Sequence, residues 1–249
     1  MKKISKRQWL NLMITICFTV FAIVLCYLVY NFNIDTQDQK QFDDMAQTIV
    51  IDETDNDNDN NDDNGIVDLV NKNSDCIGWI RIDGTKIDYP IMQTKDNPQY
   101  YLRRDFNKQY SYMGIPFMDS RCDVNYDNNL IVYGHNMRDG KMFADLLKYR
   151  DKEYRKSHSI INFITPNGIQ KYEVVAVCKV KPDDEWYGYT CQKDKESFNN
   201  LISHIKDKSL YRIDESIEYG DYFLTLSTCE YSQTNGRLIV IAKRSDANV

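Results

Sequence analysis

Residues 221–244, DYFLTLSTCEYSQTNGRLIVIAKR, decide the fold. An apolar run ends at Cys229, a polar stretch containing Asn235-Gly236 follows, and a second apolar run begins behind Arg237. Runs this short, rich in β-branched and aromatic side chains and bounded by turn residues, read as strands, and a brief polar loop between two of them makes them antiparallel neighbours. The same signature recurs outward along the chain in GWIRI (78–82), KIDYPIM (86–92), NLIVYGH (129–135) and KYEVVAVCKV (171–180). Helical spacing is scarcer: Phe198, Leu201, Ile202 and Ile205 fall at i, i+3, i+4 and i+7, with weaker patterns at 142–147 and 66–70. Many short strands and few helices predict a mainly β fold with peripheral helices, its barrel closed or nearly so because closure removes unpaired edges.

The chain has 249 residues and divides by composition into three parts, 1–32, 33–64 and 65–249. From Leu10 to Tyr30 run 21 residues without a charge, enough at about 1.5 Å per residue to cross the ~30 Å hydrocarbon of a bilayer. This predicts a single N-terminal transmembrane helix. Lys2, Lys3, Lys6 and Arg7 precede it and Asp35 and Asp38 follow, which predicts a cytoplasmic N-terminus and an extracellular body in the cell membrane. A cleaved signal peptide fits less well, since the apolar run exceeds a signal h-region and no small-x-small site follows Tyr30. The second part holds DETDNDNDNNDDN (52–64), seven acidic residues in thirteen, and reads as a solvated, self-repelling spacer. Its alternating aspartates are not a calcium loop, because counting from Asp55 the sixth and twelfth places hold Asn60 and Ile66, where Gly and Glu are required. The net charge of −6 comes from this N-terminal quarter; residues 65–249 carry 26 basic and 26 acidic side chains, too balanced for a nucleic-acid binder.

Seven cysteines and three histidines carry the chemistry. Cys17 and Cys26 lie in the apolar helix; Cys76, Cys122, Cys178 and Cys191 show no redox or zinc spacing and could pair in three ways. Cys229 closes a strand and faces a polar loop, where a thiol can react. A thiolate needs a base or a cation beside it. His135 ends the strand LIVYGH at a Gly-His-Asn turn, whereas His158 and His204 lie in charged, solvated stretches. Arg237, eight residues beyond Cys229, returns beside the thiol across the loop and brings a permanent positive charge with hydrogen-bond donors for an oxyanion. No metal site or cofactor is expected.

The strings TLSTCEYSQTNGRLIVIAKR (225–244) and IVYGHNMRDGKMFADL (131–146), with GWIRIDGTKIDYPIMQTKDN (78–97) and GIPFMDSRCD (114–123) in the same order, resemble the class B sortases, membrane-anchored cysteine transpeptidases of Gram-positive cell surfaces. The resemblance implies a closed eight-stranded sortase-type β-barrel, an N-terminal helical element and an extra helix before the seventh strand, matched by the pattern at 195–208. It implies Cys229 as nucleophile, His135 as acid/base and Arg237 as oxyanion stabiliser. Ser227, Glu230, Asn97 and Leu102 match the positions that line the sorting-signal groove, with Trp186 and Tyr187 as an aromatic wall. The implied partners are surface proteins bearing an Asn-Pro-x-Thr-x-like signal and an amine of peptidoglycan or its precursor. Two other readings are a surface-anchored cysteine peptidase or peptidoglycan hydrolase, which would orient His135 with an Asn or Asp, and a non-catalytic binding module with Cys229 as packing.

Overall fold

The computed structural model describes residues 5–49, 65–191, 194–213 and 216–245. The acidic run 52–64 lies outside them. Two compact units divide at Gln41/Phe42. The first is helical: α1 (Lys6–Ala46) begins in it and is the one helix among the described residues long and apolar enough to cross a membrane, with Phe18, Phe21 and Ile23 exposed.

Eight strands close the second unit into a barrel: β1 (Cys76–Arg81), β2 (Asp88–Met92), β3 (Phe117–Met118), β4 (Asn129–Tyr133), β5 (Ile160–Thr165), β6 (Gly168–Val180), β7 (Phe223–Cys229) and β8 (Arg237–Arg244). Their order around the barrel is β1-β2-β3-β4-β7-β8-β6-β5, with β5 returning to β1. The pairs β2–β3 and β4–β7 are parallel and the rest antiparallel. The expected strands at 78–82, 86–92, 129–135, 171–180, 221–229 and 237–244 all appear, with ends moved by a few residues. Two strands are additional. Buried Asn162 interrupts the apolar pattern of β5, and β3 is only two residues long, too short for any periodicity.

The helices are peripheral. In α4 (Lys195–Lys208), Asp194 caps the first turn by accepting from the Ser197 N–H at 2.8 Å, and Phe198, Leu201, Ile202 and Ile205 supply the buried face. The pattern at 66–70 is α2 (Ile66–Lys72), whereas that at 142–147 forms a 3-10 helix, Phe143–Arg150. A short α3 (Lys152–Ser157) follows it.

The compact unit starts at Phe42, not at Gly65. Phe42, Met45 and Ile49 are buried, the Phe42 ring meets Tyr89 edge-on at 5.5 Å, and Arg81 donates to the carbonyls of Ala46 and Ile49. These three apolar side chains are spaced by polar neighbours, so composition alone assigns them to the spacer.

One run of buried polar groups is paired from end to end. Trp186 Nε1 donates to Thr225 Oγ1 at 3.1 Å, Thr225 donates to Asn129 Oδ1 at 2.8 Å, and Asn129 Nδ2 donates to the Tyr189 carbonyl at 2.7 Å. The chain ties the connection before α4 to β4 and β7, the two strands that carry the site.

Candidate active site

Register places the reactive groups. In the parallel pair β4–β7 the last partners are Tyr133 and Ser227, so His135 and Cys229 each lie two residues beyond that rung at the same end of the barrel. In the antiparallel pair β7–β8, Cys229 is the direct cross-strand partner of Arg237. The loop between them is closed by the Glu230 N–H donating to the Gly236 carbonyl at 2.9 Å. Beyond the β4–β7 ladder, three further bonds hold the histidine turn to the cysteine strand: Gly134 N–H to Ser227 O at 3.0 Å, Thr228 Oγ1 to Gly134 O at 2.8 Å, and Asn136 Nδ2 to Cys229 O at 2.9 Å.

Cys229, His135 and Arg237, all half-buried, line one cavity of about 540 Å³. Burial lowers the His135 pKa from its ordinary value; the hydrogen bond from Nε2 to the Leu102 carbonyl, 3.0 Å, works the other way, and the Arg103 charge adds to the lowering. A carbonyl only accepts, so Nε2 carries a proton and Nδ1 is the nitrogen left to exchange one. Arg237 spends one N–H of Nη1 on the Gly236 carbonyl at 3.1 Å. Cys76, Cys122 and Cys178 are buried, and burial pushes their thiols up to about 12, which makes them inert packing. No disulfide joins the seven cysteines.

Of the groove residues expected from sequence, Ser227, Leu102 and Tyr187 line this cavity, while Asn97, Glu230 and Trp186 do not. Tyr187 OH and Ser227 Oγ share a hydrogen bond of 2.7 Å, fixing both on one wall. Trp186 is wholly buried on Thr225. The Asn97 carbonyl accepts from Thr94 Oγ1 at 2.6 Å and from the Tyr100 N–H at 3.0 Å at the entry to the 3-10 helix Tyr100–Arg103, and the following Pro98 and Gln99 line the cavity in its place. The side chain of Glu230 is 3% exposed and bound to Ser232, Arg150 and Lys179. Its main-chain N–H donates to the Gly236 carbonyl and is therefore already engaged.

The cavity is also lined by residues that the sequence reading did not single out. Asp119 takes both a 2.9 Å and a 2.8 Å bond from Arg121 and another from Tyr133 OH at 2.9 Å, and Arg121 also donates to the Tyr187 carbonyl at 2.7 Å. Burial would raise the Asp119 carboxyl, but these donors hold it below the usual carboxylate range. The rings of Phe117, Tyr133 and Tyr187 follow one another at 5.6 and 5.9 Å. The Asp-x-Arg pair directly after the apolar Phe117-Met118 was the available signal.

His158 and His204 are more engaged than solvated residues would be. The His158 ring stacks on Tyr154 at 4.0 Å and its Nδ1 meets the Tyr154 carbonyl at 2.9 Å; His204 Nε2 meets Asp184 Oδ1 at 2.7 Å.

Glu230 makes a stability prediction. Burial favours its neutral form, yet the two Ser232 donors, then Lys179 and Arg150, lower its pKa below 4.5. A depressed folded value means stabilisation that is complete above the unfolded pKa and lost as pH falls through the folded one. Urea unfolding between about pH 3 and 6 should show Glu230→Gln losing stability on acidification with a smaller slope than the parent. An unchanged slope would mean that these contacts do not hold the carboxylate.

Comparison with known proteins gives a consistent result. The Sortase domain family model matches residues 80–245. Sortase B of Listeria monocytogenes is 35% identical over 180 residues, covering 71% of this chain and 72% of that protein. Among solved structures, the Staphylococcus aureus sortase B–substrate complex superposes with a TM-score of 0.67 at 32% identity, covering 72% of this chain and 84% of that one. Bacillus anthracis sortase B in complex with AAEK1 gives 0.72 at 32% identity, covering 86% and 98%.

Proposed function

From a chain that belongs to the sortase family, resembles its class B members and is thus a cysteine transpeptidase, we propose that Cys229, His135 and Arg237 are the catalytic residues and that the substrate is the C-terminal Asn-Pro-x-Thr-x-like signal of an exported protein. What supports this most is a single observation: the three side chains, from three different strands or strand ends, line one cavity.

The chemistry follows from the residue types. The Cys229 thiol passes its proton to His135, and the thiolate attacks the carbonyl of the signal's Thr. The tetrahedral oxyanion so formed takes N–H donors from Arg237, whose charge cannot be lost at working pH. His135, now imidazolium, returns the proton to the departing amine, the C–N bond breaks and a thioacyl enzyme remains. An incoming primary amine of the cell wall gives a proton to His135, attacks the thioester and releases Cys229. Leu102, Ser227 and Tyr187 line the groove beside these groups and contact the signal.

The parts of the chain fit the same reading. The apolar span within residues 1–32 is the membrane anchor, with the N-terminus cytoplasmic and the catalytic unit outside. The acidic run before Gly65 is a spacer. Anchoring enzyme, signal-bearing protein and lipid-linked acceptor to one surface raises their effective concentrations.

A hydrolase with the same thiol predicts a different product. The full chain in detergent micelles, given Asn-Pro-x-Thr-x peptides and a panel of primary amines, should convert hydrolysis product into amide as amine concentration rises. Hydrolysis indifferent to every amine would favour the hydrolase. Among the described residues the hydrogen-bond partner of the His135 ring is a main-chain carbonyl rather than the Asn or Asp side chain such an enzyme would use.

A further inference from the structure

The segment Tyr101–Arg103 presents three successive carbonyls. Those of Tyr101 and Arg103 are taken by the neighbouring stretch, through the Ile115 N–H at 3.0 Å and the Ser111 N–H at 3.2 Å. The carbonyl between them, that of Leu102, receives His135 Nε2 at 3.0 Å. Leu102 also lines the cavity, so the residue whose main chain meets the histidine belongs to the groove. Space for that carbonyl depends on Gly114. Its φ is +60°, and a Cβ there would stand 2.5 Å from Leu102 O and 2.6 Å from Tyr101 O. Main-chain oxygens cannot rotate out of the way as a side chain can, so any larger residue must displace the peptide that faces His135.

We propose that the Leu102 carbonyl is the orienting partner of His135. It fixes the neutral imidazole with its proton on Nε2 and leaves Nδ1 to take and return the catalytic proton. Gly114, which lets the carbonyl stand where it does, is a positioning residue for the reaction. The inference rests on the reading of His135 as acid/base. Its logic is that of the carboxylate in a Ser-His-Asp triad, where loss of the orienting group leaves the wrong tautomer and a rate loss of about 10⁴-fold. A neutral carbonyl orients without adding a negative charge, so the imidazolium is not held in place by an ion pair and releases its proton more readily to the leaving amine.

The test is spectroscopic. The full chain in detergent micelles, labelled with ¹⁵N only in histidine, has three imidazoles to resolve. Two serve as internal references: His158 Nδ1 faces the Tyr154 carbonyl, with Ser157 Oγ also at 2.9 Å, and His204 Nε2 faces the Asp184 carboxylate, acceptors that favour opposite tautomers. Long-range ¹H–¹⁵N correlation above the His135 pKa should show His135 sharing the His204 pattern. Gly114→Ala should change the His135 pattern, leave His158 and His204 as they were, and lower kcat by at least about tenfold with little change in KM. A parent His135 protonated on Nδ1 would overturn the proposal, and so would a folded Gly114→Ala protein with its tautomer and kcat intact. Should Gly114→Ala not fold, which the reference signals report, the parent spectrum alone decides. Full activity in His135→Ala, with the Nε2 tautomer seen in the parent, would instead end the acid/base reading of His135.

Discussion

Cys229→Ala should fold as the parent does, bind an Asn-Pro-x-Thr-x peptide with unchanged Kd, and produce neither cleaved peptide nor amide. The side chain is half-buried at a strand end and its own thiol makes none of the bonds described above, so removing Sγ costs little packing. What is lost is the covalent route. Removing a nucleophile that works as a unit with its base costs up to about 10⁶-fold in kcat, so the loss here should exceed about 10⁴-fold and be read as no product. None of the buried thiols can substitute, because Cys76, Cys122 and Cys178 are closed off in the barrel with their ionisation suppressed. Residual cleavage at the parent rate would leave Cys229 a packing residue and return the domain to the binding-module reading.

The second large effect is at Arg237. An oxyanion exists only after attack, so a donor aimed at it stabilises the transition state and not the bound peptide. Arg237→Ala should therefore lower kcat by about 10² to 10³-fold with KM nearly unchanged. Arg237→Lys distinguishes charge from geometry. Lysine keeps the positive charge but has no planar fork, so it cannot hold the Gly236 carbonyl at one corner while presenting further N–H groups to the cavity. We expect Arg237→Lys to recover less than about tenfold of the loss. A lysine enzyme at the parent rate would show that Arg237 acts as a point charge only. A fall confined to KM would place Arg237 in peptide binding instead.

Both effects depend on a coincidence of register that was partly visible in the sequence. The strand ending at Cys229 and the strand opening at Arg237 are joined by a loop short enough to make them neighbours, and β8 runs over the residues expected, 237–244. The placement of His135 was not legible in that way. It depends on β4 and β7 being parallel and in a particular register, a pairing made by residues 94 positions apart, such as Asn129 with Phe223. Only the Y-G-H pattern and its resemblance to a family pointed to it.

The remaining differences have similar causes. Glu230 directly follows the nucleophile and reads as a groove residue, but strand alternation turns it to the other side, against Arg150 and Lys179. Asn97 differs because its carbonyl closes a turn onto the Tyr100 N–H, and the two residues within that turn, Pro98 and Gln99, line the cavity instead. Asp119, Arg121 and Tyr133 shape the cavity through contacts with one another across the chain, which no single stretch of sequence displays. Phe42, Met45 and Ile49 stand at the helical spacing i, i+3 and i+7, but they sit singly in a polar, acidic run whose composition reads as spacer, and only their contacts with Tyr89 and Arg81 tie them to the barrel.

The most direct measurement is the mass of the enzyme itself during turnover. Full-length protein mixed with an Asn-Pro-x-Thr-x peptide and no amine, then quenched in acid, should gain the mass of the peptide's N-terminal fragment less one water, and proteolytic mapping should place it on the peptide containing Cys229. Adding a primary amine before the quench should discharge it as amide. Cleavage of the peptide with no adduct at any stage, or an adduct mapping to another residue, would contradict a mechanism in which these three groups at one end of the barrel make and resolve a thioester.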